Sequence, residues 1–134
     1  MAIAMNFNKL VVADVPAAEA FYVAMGLKVV SRNLGGEDDV RQEQSWLSAS
    51  GDMTTHCLIL TRFLELPDPL RPVYPGEGWL VFNVDDVDAT CRLAQANGGS
   101  VYRAGEDRPE HGVRAAVIAD HEGHYIELVG PMTG

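Results

Sequence analysis

Apolar and polar residues along this chain fall into two rhythms that alternate and then recur. Residues 6–12 are β-prone, and Asp14 follows as a helix N-cap with Pro16 in the first turn, where a missing N–H costs nothing. Ala18, Phe21, Tyr22 and Met25 then stand at i, i+3, i+4 and i+7, which predicts one apolar helical stripe, and Gly26 ends it. Strand character resumes over 28–32. A Gly- and Asp-rich loop is expected over 33–39, a weaker and mostly polar strand over 41–48, and a further strand over 55–61.

Pro67, Pro69, Pro72 and Pro75 exclude a helix interior or a central strand and predict a stiff, extended connection over 64–78. The same order then returns. A strand is predicted over 79–84, a helix from an Asp86 cap to Asn97, and strands over 101–104, 113–119 and up to Val129. A shift of 72 positions pairs Phe7 with Trp79, Leu10 with Phe82, Val12 with Val84, Asp14 with Asp86, Phe21 with Leu93 and Gly26 with Gly98. Near the end of each half the shift becomes 68 and pairs His56 with His124, Leu58 with Ile126 and Leu60 with Leu128. The expected fold is therefore α+β: two tandem βαβββ modules related by a pseudo-twofold axis, with curved mixed sheets enclosing a cleft and the helices outside. Module 1 covers about 4–63 and module 2 about 79–131, joined in a single domain.

Strand alternation assigns faces. In the first strand Asn8, Leu10 and Val12 face the helix, so Phe7, Lys9 and Val11 face the cleft; Cys57, Ile59 and Thr61 do so from the fourth strand, and Trp79, Val81 and Asn83 from the fifth. In the last strand Tyr125, Glu127 and Val129 share a face, which turns one carboxylate inward. An inward carboxylate is costly unless it is paired, hydrogen-bonded, protonated or bound to metal.

These features together resemble the vicinal oxygen chelate superfamily of glyoxalase I, bleomycin-resistance proteins and extradiol dioxygenases. The residues that carry the likeness are the Asp14–Tyr22 helix start with Met25-Gly26-Leu27, the Val84-Asp-Asp-Val-Asp88 junction, and Asp120-His-Glu-Gly-His-Tyr-Ile-Glu-Leu128. The resemblance implies a divalent-metal site at four equivalent positions, which here hold Phe7, Ile59, Trp79 and Glu127. Phe, Ile and Trp offer no suitable lone pair, and one carboxylate cannot complete a ligand shell, so no metal and no other cofactor is expected there.

Two functions follow. One is a small-molecule-binding protein with a cleft lined by Phe7, Trp46, Trp79 and Tyr125, anchoring its ligand on Glu127 and Lys9. The other is a metal-independent or atypical-metal enzyme of lyase, isomerase or dioxygenase type, with Glu127 as general base or sole retained ligand. Lys9 either enters the cleft or snorkels out at the strand end. Arg114 stands where family members carry a cleft-lining or structural arginine, and pairing with a carboxylate is its alternative role. Cys57 faces the cleft but carries no sign of activation, and Cys57 and Cys91 read as free thiols. His121 and His124 read as solvated turn residues, and the recurring His56 and His124 as structural.

Composition narrows the picture. At 134 residues and 47% hydrophobic content the chain can bury one core but not two ordinary independent domains. A net charge of −9 argues against nucleic acid and is compatible with an aromatic or cationic small organic ligand. No apolar run is long enough for a bilayer span and no signal peptide is visible, so the chain reads as cytoplasmic, with no membrane partner. A homodimer is expected by analogy with the family.

Overall fold

In a computed structural model, residues 5–35, 41–64 and 79–134 are described. The proline-rich connection and the end of the loop before the third strand lie outside them. The chain divides into two compact units, Met1–Arg71 and Pro72–Gly134.

The first unit runs β1 (Phe7–Val11), α1 (Val15–Ala24), β2 (Lys28–Gly35), β3 (Gln42–Ser48) and β4 (Cys57–Phe63). Its four strands form one mixed sheet in the order β1-β4-β3-β2, with β1 parallel to β4 and the other pairs antiparallel. The second unit repeats this plan with β5 (Leu80–Asn83), α2 (Val87–Ala96), β6 (Ser100–Arg108), β7 (Val113–Ala119) and β8 (Tyr125–Gly130), ordered β5-β8-β7-β6. The α+β repeat expected from the sequence is thus present as two open four-stranded sheets, each with its own helix.

Both helices begin as their caps dictate. Asp14 Oδ1 accepts from Ala17 N at 3.0 Å, and Asp86 Oδ1 from Ala89 N at 2.9 Å, each worth about 1 kcal/mol over alanine. Gly26 and Gly98, related by the 72-residue shift, follow the helices at φ 117° and 89°, a conformation that costs other residues steric strain. Val15, Ala18, Phe21 and Tyr22 are buried from α1, and Val87, Cys91 and Ala94 from α2. The α1 stripe packs against β2, β3 and β4, and the α2 stripe against β6, β7 and β8.

Each helix is also clasped to its sheet by charge. Glu19 on α1 accepts from Arg32 Nε at 2.9 Å and Nη2 at 2.6 Å, and from Ser45 Oγ at 2.6 Å. On α2, Asp88 Oδ1 accepts from Arg114 Nη2 at 3.0 Å and Nε at 3.2 Å. Among the described residues no helix is long and apolar enough to cross a membrane.

Three strands depart from the sequence reading. β2 continues through Asn33, Leu34 and Gly35, which were expected to be loop, because they pair with Gln44, Glu43 and Gln42. β6 runs four residues past its expected end, and register shifts at Val101/Arg103 and Arg103/Glu106 absorb its polar residues. β4 lies two residues later than expected, from Cys57 to Phe63.

Candidate functional site

The helix-free face of the second sheet is built around Glu127. Its β8 strand is central, paired with β5 through Val81↔Glu127 and with β7 through Val117↔Glu127. Directly paired residues project to the same side, so Val81, Glu127 and Val117 form a row, continued by Arg103 opposite Val117 on β6. Beside this row Trp79 and Tyr102 each contact Tyr125, with ring centroids 4.9 and 5.2 Å apart. Trp79 is 48% exposed and Tyr102 60%.

A recess of about 390 Å³ opens on this face, walled by Trp79, Tyr102, Ala115, Val117 and Glu127, with Arg103, Glu106 and Arg108 also lining it. Arg108 and Glu106 approach each other to 3.7 Å. The half-buried Glu127 carboxylate makes no hydrogen bond or ion pair among the described residues.

The corresponding face of the first sheet carries Phe7, Lys9 and Val11 opposite Cys57, Ile59 and Thr61. Trp46 pairs with Ile59, and its ring lies 5.6 Å from that of Phe7. Lys9 Nζ donates to Gln42 Oε1 at 2.8 Å. The same oxygen accepts from Thr61 Oγ1 at 2.9 Å and Gln44 Nε2 at 3.0 Å, while Gln44 Oε1 accepts from Trp46 Nε1 at 2.9 Å. Gln42, Gln44 and Thr61 are buried. Sequence reasoning assigned no role to Gln42, Gln44 or Tyr102. Period-two alternation along Gln42-Glu-Gln44-Ser-Trp46 was the signal available for the two glutamines.

The two registers correspond residue by residue. Lys9↔Ile59 in the first unit occupies the place of Val81↔Glu127 in the second, and Trp46↔Ile59 that of Val117↔Glu127. The expected metal positions therefore carry Phe7, Ile59, Trp79 and Glu127, and this donor set does not fit a divalent ion: three side chains are hydrocarbon or indole. Among the described residues no group of three or more His, Cys, Asp or Glu side chains could hold a metal.

Other expected site residues lie elsewhere. Arg114 is opposite Gly130 and thus on the helix side of its sheet, away from Glu127. There Asp88 and Asp107 hold the guanidinium, the latter through Nη1 at 3.1 Å, and these bonds raise its pKa further. It serves as a structural arginine, not as a lining residue of the Glu127 face.

Cys57 is fully buried, its Sγ 3.5 Å from Met53 Sδ, and both cysteines are free. Burial, and then the neighbouring Asp88, push the Cys91 thiol up. His56 Nε2 lies 2.7 Å from Asn8 Oδ1 and ties the start of β4 to β1. His124 is held rather than freely solvated: its Nδ1 is 2.8 Å from Asp120 Oδ2. His121 Nε2 lies 3.4 Å from a Glu122 oxygen.

A second recess, of about 360 Å³, lies beside α1 and the β2–β3 hairpin, but the acid and base within it, Glu19 and Arg32, already neutralise each other.

Two βαβββ units, each with an aromatic helix-free face, define a paired-module α+β fold. The chain belongs to the Glyoxalase/Bleomycin resistance protein/Dioxygenase superfamily, whose model matches residues 4–128. Its fold is similar to that of a glyoxalase family protein from Bacillus cereus, at 21% identity over 97% of this chain and 95% of that one, with a TM-score of 0.80. It is also similar to the trypanothione-dependent glyoxalase I of Leishmania major (22% identity, 96% and 87% covered, TM-score 0.73). A third similar structure is TioX from Micromonospora sp. ML1 (18% identity, 96% and 99% covered, TM-score 0.66). Comparison with curated proteins gave no match.

Proposed function

We propose that this protein binds a small organic molecule on its aromatic sheet faces, as a homodimer, without a divalent metal at the four equivalent positions. The ligand has an aromatic or hydrophobic body and a hydrogen-bond donor, an amine or hydroxyl, that meets Glu127. The observation that carries this reading is the Glu127 carboxylate itself, half-buried beside Trp79 in a recess of about 390 Å³ and without a partner among the described residues. A buried or half-buried charge without a partner is costly, and a ligand donor is the natural compensation. The open lone pairs that suit an anchor also suit a general base, and this supports the second reading, an enzyme that moves a proton next to a carbonyl.

One substitution separates the two. In W46F protein Trp79 is the sole tryptophan and lies in the recess, so its emission reports ligand entry there. Phenethylamine is expected to change that emission saturably, and E127Q to weaken binding about tenfold or more, the worth of one charge-assisted hydrogen bond. Equal affinity in E127Q removes Glu127 as the anchor. For an enzyme, the same substitution collapses turnover of its substrate; for a binding protein there is no turnover to lose. Native mass spectrometry of freshly purified protein identifies the resident molecule and gives the oligomeric state.

A further inference from the structure

We infer that the helix-free face of the first sheet holds a subsite for an organic carboxylate, with Lys9 as its cation. This goes beyond the Glu127 reading and stands independently of it, since every residue involved belongs to the first unit.

An ammonium has three N–H donors. Lys9 spends one on Gln42 Oε1, and among the described residues it has no acidic partner and no second acceptor. Lys9 is exposed, but its amine is tied to the sheet by that bond. Gln42 Oε1 is fixed from behind by buried Thr61 and by buried Gln44, and Gln44 is fixed by the Trp46 indole N–H. This chain of bonds places the amine at a defined point before a ligand arrives, which lowers the ordering cost of binding.

The surroundings set the rest of the ligand. Lys9 stands on the same strand face as Phe7 and opposite Ile59, with Trp46 beyond it, and Phe7 is 46% exposed. A planar apolar body covers the Phe7–Trp46 pair while its carboxylate reaches the ammonium, where apolar neighbours strengthen the ionic bond. An aromatic carboxylic acid, bound as its anion, satisfies both contacts. A neutral amide of the same shape satisfies only the first.

The test uses W79F protein, in which Trp46 supplies the only indole N–H resonance. Phenylacetate is titrated against it by ¹H–¹⁵N NMR, and phenylacetamide in parallel. Phenylacetate is expected to shift the Trp46 resonance saturably, phenylacetamide to bind about tenfold more weakly or worse, and K9M to lose the same factor while K9R retains most of the affinity. Equal affinity for acid and amide, unchanged affinity in K9M, or no saturable shift with phenylacetate overturns the assignment. Should K9M fail to fold, the acid–amide comparison decides by itself. Failure of the Glu127 reading shows instead on Trp79 in W46F protein, so the two outcomes are separable.

Discussion

Replacing Asp120 with alanine should unhinge the strand that carries Glu127. Asp120 is 4% exposed, and its Oδ1 accepts from the backbone N–H groups of Glu122 and His124, both at 2.9 Å, while Oδ2 lies 2.8 Å from His124 Nδ1. The turn it organises feeds directly into β8 at Tyr125, which is paired with Ala119. Alanine leaves two backbone donors without their carboxylate. At about 1.5 kcal/mol for each hydrogen bond to a charged group, the loss is about 3 kcal/mol before the His124 contact is counted. Asparagine keeps an Oδ1 acceptor for both N–H groups, so D120N should lose only about 1 kcal/mol, the weaker neutral acceptor and the His124 bond.

Urea unfolding at pH 7, followed by Trp79 emission in W46F protein, measures the second unit specifically. This matters because two compact units need not unfold in one step. With an m-value of about 1 kcal/mol/M for a unit of this size, D120A should lower the midpoint by about 3 M. A D120A shift below about 0.5 M, or identical midpoints for D120A and D120N, would refute the claim that the carboxylate holds this turn.

Gly130→Ala should destabilise the same unit, since a Cβ there would lie 2.6 Å from Val84 O and 3.0 Å from Val87 Cγ2; a Trp79-detected loss below about 1 kcal/mol would show that the backbone yields easily. Acid sensitivity should follow three depressed carboxylates. Hydrogen bonds from Thr54 and Ser50 lower Asp52 to about 2, the Arg32 bond lowers Glu19, and the Thr133 N–H lowers Asp107. Because their folded pKa values lie below the unfolded ones, the stability they contribute is complete above the unfolded range near ~4 and fades as pH falls through the folded values. Carboxyl NMR titration should find Asp52 still charged at about pH 3, and titration at the ordinary value would refute its Ser50–Thr54 cradle.

The helices were legible because cap and stripe agree. Asp14 and Asp86 mark the starts, and the apolar i, i+3, i+4 spacing marks the buried side. The third strand was faint because its buried positions are Gln42, Gln44, Ser45 and Ser48 as well as Leu47. Burial there depends on hydrogen-bond partners from Lys9, Thr61 and Trp46, which lie far away in sequence. The ends of β2 and β6 were missed for a related reason: cross-strand pairing extends them through residues with weak intrinsic β preference.

In the site, the internal repeat located Phe7, Ile59, Trp79 and Glu127 without any structure. Of the two roles open to Arg114, alternation within β7 could have singled out carboxylate pairing on the helix side, since it shares its side with buried Ala116 and Ile118 rather than with Ala115 and Val117. Tyr102 could not be placed by alternation, because β6 shifts register between Val101 and Arg103.

The correspondence between the two sheets has a consequence for how such a site can change. One backbone frame is used twice, and where the first copy is filled by Trp46 and Gln44 the second has only Val117 and Ala115. Open space on the second sheet is therefore a matter of side-chain volume at two positions and not of topology. Enlarging residues 115 and 117 would plug it, and shrinking residues 44 and 46 would open its counterpart. The shape of each face is thus set by the side chains at those positions, on strand pairings that the two halves share.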